Sequence, residues 1–227
     1  TLTKEQKLVT LTTYDKQKEV ELNVNKQYLE DKDLPLPEEG AIFHVVSKTT
    51  QEVVAILKTD KDGNAQVKLP YDEYELIQIS GKENYILSET QTLILDENTK
   101  DTIKINLVNE PYTKKIKLIK KDATTDKRIY LANIEFKIYD VDRKKYVCEN
   151  ESCTFKTNEF GEFTTDELYP STYIIEEVKK KIDGYLWNEE KIKITINQKS
   201  EDIVLVEFTN KPVKGELIIY KANEDHL

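Results

Sequence analysis

Three lysines in this chain each stand 11 residues after an amide or acid side chain, at the end of an alternating apolar run. The pairs are Asp15 with Lys26, Asn109 with Lys120, and Asn210 with Lys221, in the segments DKQKEVELNVNK, NEPYTKKIKLIK and NKPVKGELIIYK. A fixed spacing of this kind marks an internal repeat, and it constrains the fold before any single residue does. Residues two apart in a strand share a face. Val20, Leu22 and Val24 therefore share one with Lys26, Ile116 and Leu118 with Lys120, and Leu217 and Ile219 with Lys221. An ammonium group on an apolar face is costly unless something compensates it.

The lysine period also sets the domain count. Lys26 and Lys120 are 94 residues apart, and Lys120 and Lys221 are 101 apart, so the 227-residue chain holds two full modules. Residues 1–16 read as the closing strand of a preceding repeat and 17–112 as the first sandwich. Residues 113–213 read as the second sandwich, and 214–227 as the opening strand of a following repeat. Such a chain is expected to be a cut from a longer tandem array, packed against neighbouring repeats of the same chain.

Strand patterns dominate the modules. Apolar residues alternate in VELNV (20–24), DTIKINLV (101–108), KIKLI (115–119), IEFKIY (134–139), TYII (172–175), IKIT (192–195) and IVLVEF (203–208). Turn signals separate them: DKDGN (60–64), SGKENY (80–85), NEFGE (158–162) and DGY (183–185). Helical periodicity is weak throughout; KEQK near the start is at most a turn of helix. Short strands at this spacing predict an all-β fold of two tandem β-sandwiches. The modules align element by element. GAIFHVV matches NIEFKIY, YELIQISGKENY matches YIIEEVKKKIDGY, and LVNEP matches FTNKP.

Charge and composition exclude several function classes. The net charge is −9 with both signs interleaved, so no basic patch offers itself to nucleic acid. No apolar run approaches a membrane span, so no membrane insertion is expected in this segment. The sequence shows no phosphate loop, no zinc motif and no hydrolase elbow, and no cofactor or metal is expected. DKDGN resembles the start of a calcium loop. The position that should hold the closing glutamate is Tyr71, so a tight hairpin turn is the better reading. His44 and His226 have no partner at recognisable spacing, and Trp187 reads as packing.

Strand parity gathers three polar side chains in the second module. Lys120 ends the first strand, Asn210 ends the last, and Glu177 shares a face with Tyr173 and Ile175. A lone inward lysine usually snorkels to solvent; the recurrence argues otherwise here. Burial disfavours the charged form of an acid or an amine alike, so the pair can exist as neutral amine and neutral acid. The amine is then a nucleophile. Attack of Lys120 Nζ on Asn210 Cγ, with Glu177 polarising the amide carbonyl and shuttling protons to the departing ammonia, would make an intramolecular isopeptide bond. Proximity within the fold supplies most of the acceleration. Such a reaction turns over once, so no enzyme activity in the usual sense is expected.

The string IKLIKKD…LANIEFKIYD…TNEFGEFTTDELYPSTYIIEEV…DGY…VEFTNKP resembles the B-type repeat of Gram-positive collagen adhesins, the domain that also builds SpaA-like pilin shafts. Residues 114–213 match most of that pattern, with Ser171 in place of a glycine and Asn133-Ile134 in place of Gly-Ala. The resemblance implies an inverse immunoglobulin-like (prealbumin-like) sandwich exposed on a bacterial cell wall, with Lys120, Glu177 and Asn210 as its isopeptide triad. The first module departs from the pattern. Lys26 and Asn109 hold the bonding positions, but Gln78 stands where Glu177 does, and glutamine cannot give and recover a carboxyl proton. Glu75 points to the other face by parity. The Lys26–Asn109 bond is therefore expected to be absent or slow unless another acid enters the pocket. Without it, Lys26 should be partly solvated or hydrogen-bonded to Gln78 and Asn109. Asp15 and Lys221 are expected to make no bond within this chain.

Cys148 and Cys153 flank ENES and read as a disulfide across a hairpin tip, which suits an oxidising exterior, or as two free thiols. The reading that follows is a stalk segment of a cell-wall-anchored surface adhesin, stiffened by an autocatalytic bond. The alternatives are shaft domains of a sortase-assembled pilin, or a module that itself binds a host extracellular-matrix protein.

Overall fold

A computed structural model describes residues 17–31 and 34–221. The closing strand expected over 1–16, with Asp15 and KEQK, lies outside the described residues, as does His226. The chain divides into two compact units between Pro111 and Tyr112.

The first unit is built from β1 (Glu19–Asp31), β2 (Leu34–Pro37), β3 (Ile42–Ser47), β4 (Val53–Lys58), β5 (Asn64–Pro70), β6 (Asp72–Ser80), β7 (Gln91–Leu95) and β8 (Thr102–Asn109). One sheet runs β2-β1-β5, with β8 parallel to β1; the facing sheet runs β4-β3-β6-β7. The second unit repeats the plan with β9 (Lys115–Asp122), β10 (Glu135–Asp140), β11 (Lys145–Tyr146), β12 (Phe155–Lys156), β13 (Glu162–Thr164), β14 (Ser171–Glu177), β15 (Lys191–Ile196) and β16 (Ile203–Asn210). Its sheets are β13-β9-β16, with β16 parallel to β9, and β10-β14-β15, with β11 and β12 on the free edge of β10.

Each unit is all-β for the reason its sequence suggests. The period-2 pattern buries one face of each strand against the opposite sheet. In β9, Ile116, Leu118, Lys120 and Asp122 are buried, and the residues between them are partly open. The second core is Ile116, Leu118, Phe136, Ile138, Tyr173, Ile175, Val206 and Phe208 with their neighbours; the first is its counterpart around Val20, Leu22, Phe43, Tyr74 and Leu76. Phe136 meets Phe208 edge-on at 5.1 Å between centroids. Truncating either ring to alanine should cost about 3–5 kcal/mol.

The repeat is visible in matching hydrogen bonds. Tyr74 Oη donates to Pro70 O (3.0 Å) and Tyr173 Oη to Tyr169 O (2.7 Å). Lys26 N donates to Gly63 O (2.7 Å) and Lys120 N to Gly161 O (2.9 Å). Gly63 (φ +76°) and Gly161 (φ +66°) close equivalent turns in the left-handed region that suits glycine. DKDGN is such a turn: Asp60 Oδ1 accepts from the amides of Asp62 and Asn64, both at 2.9 Å.

The opening strand expected over 214–227 lies within the described residues only as far as Lys221. Residues 214–221 form no strand, and Leu217, Ile219 and Tyr220 lie exposed. Alternation describes one face of a strand, but a strand exists only by pairing with another.

Candidate covalent cross-link site

In the second sandwich β9 and β16 lie side by side and parallel, with Lys120 opposite Phe208. Asn210 is two residues further on and shares the inward face, and β14 brings Glu177 in from the opposite sheet beside Phe136. Lys120 is 0%, Glu177 4% and Asn210 1% exposed. Lys120 Nζ lies 3.1 Å from Glu177 Oε1 and also donates to Asn210 Oδ1. The rings of Phe208 and Phe136 wall the amine at 4.6 and 5.4 Å from their centroids. Burial lowers the Lys120 pKa to about 8, against the opposing pull of Glu177. About a tenth of the amine is therefore neutral at pH 7, far more than for an exposed lysine.

The carboxyl faces the amide nitrogen. Asn210 Nδ2 donates to Glu177 Oε2 at 2.9 Å and Oε1 at 3.3 Å, and to Leu186 O at 2.8 Å. From the sequence, Glu177 is expected to polarise the Asn210 carbonyl. Here Oδ1 meets the lysine instead, and Glu177 Oε1 stands between the attacking amine and the leaving group. One oxygen within reach of both nitrogens is the arrangement that proton relay requires.

Two residues outside the sequence prediction hold the acid in place. Asn188 N donates to Glu177 Oε2 (3.0 Å), and its side chain donates to Thr209 O (2.8 Å). Trp187 Nε1 donates to Glu177 O (3.1 Å), so this ring latches the strand that carries the acid as well as packing. Both belong to the irregular stretch after DGY, where no periodicity flags an inward residue.

The first sandwich has the same register: Lys26 lies opposite Leu107, two residues before Asn109. Lys26 is 0% exposed, so the partial solvation expected in the absence of a bond is not found. Its amine donates to Gln27 O (2.6 Å) and lies 3.2 Å from Glu38 Oε2. An acid does enter this pocket, from the connection between β2 and β3. Burial lowers the Lys26 pKa, and Glu38 opposes that shift. Gln78 takes the place of Glu177 to the bond: its Oε1 accepts from Ser88 N (2.8 Å) as Glu177 accepts from Asn188. Asn109 Oδ1 accepts from Ser88 Oγ (2.8 Å), while its buried Nδ2 has no hydrogen-bond partner.

Cys148 and Cys153 are joined by a disulfide. Among the described residues no cluster of three or more His, Cys, Asp or Glu side chains could hold a metal ion. No described helix is long and apolar enough to cross a membrane.

A family model for the SpaA prealbumin-like fold domain matches residues 21–111 and again 114–212. The chain belongs to that family. Its two SpaA domains are similar to part of the Bacillus anthracis TIE protein, with 29% identity and a TM-score of 0.66 over 85% of this chain. The chain spans about a third of that protein's length (34%). The C-terminal fragment of the pilus adhesin SpaC from Lactobacillus rhamnosus GG shares the fold, with 12% identity and a TM-score of 0.55, covering 87% of this chain and all of that one. The minor pilin GBS52 of Streptococcus agalactiae aligns at 15% identity and a TM-score of 0.41, over 89% of this chain and all of GBS52. No curated protein sequence matches the chain.

Proposed function

We propose that this chain is a structural stalk segment of a cell-wall-anchored bacterial surface adhesin, and that its second SpaA domain is stiffened by a Lys120–Asn210 isopeptide bond. The observation that carries this reading is the sealed cluster of amine, carboxyl and amide joining β9 to β16. As an inert ion pair it would be hard to justify, because burying two charges rarely repays their desolvation. As a reaction site it is well made. Neutral Lys120 Nζ attacks Asn210 Cγ, the Cγ–Nδ2 bond breaks, and one of the two amine protons stays on the new amide nitrogen. Glu177 carries the other to Nδ2, and ammonia leaves.

The position of the bond supports a mechanical role. Tension on a tandem array enters a domain at its first strand and leaves at its last. Pulled from the start of β9 and the end of β16, these parallel neighbours are loaded in shear. A covalent link between Lys120 and Asn210, 90 positions apart, closes off the chain between them and passes the load around the fold. The outward role, holding a host-directed partner away from the cell, belongs to the same reading.

Intact mass tests the chemistry. Each bond should lower the mass by about 17 Da through loss of ammonia. Glu177→Ala should restore that mass for the second domain. A full, unmodified mass in the wild-type protein would sink the reading.

A further inference from the structure

Glu38 does something in the first domain that its sequence neighbourhood does not announce. It is 3% exposed, and its two oxygens are used differently. Oε1 accepts from Lys82 N at 2.6 Å, which anchors the side chain. Oε2 makes no hydrogen bond and stands 3.2 Å from Lys26 Nζ. A carboxyl with one oxygen anchored and the other turned to a buried amine is set up to take a proton and return it.

Three side chains converge beside Gly81. A β-carbon on that residue would lie 2.6 Å from both Gln78 Nε2 and Glu38 Oε1, and 3.3 Å from Asn109 Nδ2. Glu38 is thus gathered with the amide at the end of β8 as well as with the amine at Lys26. The orphaned Asn109 Nδ2 is a second sign. A buried donor with no acceptor is unfavourable, and its departure as ammonia removes the penalty.

Comparing the two domains shows how the acid came to lie there. In the second, Ile129 N donates to Lys120 O (3.0 Å) and Thr157 Oγ1 donates to Leu131 O (2.7 Å). In the first, Glu38 alone takes both parts: its N donates to Lys26 O (2.9 Å), and its O accepts from Thr59 Oγ1 (2.6 Å). A stretch beginning and ending in aliphatic side chains in one domain is replaced by a single acid in the other. The acid on the β14 strand is replaced by Gln78 at the same time.

We propose that the first domain forms its own Lys26–Asn109 isopeptide bond, with Glu38 as the proton carrier in place of the residue at position 78. The proposal rests on the chemistry read for the second domain, moved to a different strand connection. Lys26 Nζ attacks Asn109 Cγ and the Cγ–Nδ2 bond breaks. One proton of the neutral amine stays on the new amide nitrogen, Glu38 passes the other to Nδ2, and ammonia departs. Nothing is oxidised or reduced. Gln78 keeps the backbone contact to Ser88 and takes no part in proton transfer.

The test is a peptide map of the whole chain, read with its intact mass. The wild-type protein should have lost about 34 Da as two molecules of ammonia. It should yield one cross-linked peptide containing Lys26 and Asn109 and another containing Lys120 and Asn210. E38Q should lose only the first cross-link, and E177Q only the second. A Lys120–Asn210 link beside unlinked Lys26 and Asn109 would overturn the proposal and leave the second domain's reading standing. No link in either domain would overturn both. An E38Q protein that keeps the Lys26–Asn109 link would refute the part assigned to Glu38. The wild-type map alone reads the first-domain bond, so the proposal stays testable if E38Q does not fold.

Discussion

Replacing Lys120 with methionine and Glu177 with glutamine together separates a covalent bond from an ion pair by the sign of the stability change. The double variant removes both buried charges while keeping the shapes. Methionine fills the slot between Phe136 and Phe208. Glutamine keeps an acceptor for Asn188 N, as Gln78 already does for Ser88 N at 2.8 Å. If Lys120 and Glu177 were only a buried ion pair, this neutral replacement should leave stability unchanged or raise it. If Lys120 is bonded to Asn210, the variant loses a cross-link spanning 90 residues. By analogy with disulfide loop closure that loss is about 4–5 kcal/mol. For a domain of this size it corresponds to a Tm lower by roughly 20 °C or more. Differential scanning calorimetry of the whole chain should show one transition falling by that amount while the other stays. A variant at least as stable as the wild type would refute the bond.

Three further outcomes follow from the same geometry. In Asn210→Ala, Lys120 stays a free buried amine, with its pKa lowered to about 8 from 10.5. Between those values the unfolded chain binds more protons than the folded one, so this variant should gain stability as pH rises from about 8 to 10.5. The wild type, with Lys120 acylated, should lack that gain when urea midpoints are compared across the range. Reducing Cys148–Cys153, five residues apart, should add about 2 Da, cost about 2 kcal/mol or less, and leave the ammonia loss untouched; a change in cross-linking would contradict this. Gly81→Ala would set a β-carbon 2.6 Å from Glu38 Oε1, so it should displace the acid and reduce the Lys26–Asn109 peptide in the map while sparing the Lys120–Asn210 one.

The parts of the site legible in the sequence are those that obey strand period. Lys120, Glu177 and Asn210 could be put on one buried face because residues two apart share a side, and the structure has them there. The same parity correctly turned Gln78 inward and Glu75 away from it. Glu38 was not legible. It lies in PLPEEG, a connection with no period, and nothing in two adjacent glutamates says which one turns in. Only the shorter path from the lysine carbonyl to the threonine bond, seen by comparing the domains, accounts for its burial. Trp187 and Asn188 escaped for the same reason. GELIIY shows the opposite case: it has strand alternation, yet residues 214–221 form no strand, because alternation cannot supply a neighbour to pair with.

Stretching single molecules end to end tests the load-bearing claim most directly. With Lys120 joined to Asn210, 90 positions apart, the chain between them cannot extend, whatever happens to the rest of the fold. The K120M/E177Q variant should therefore show one unfolding step more than the wild type, releasing roughly 300 Å of contour length at about 3.5 Å per residue. A wild-type chain that shows the same step would contradict the account.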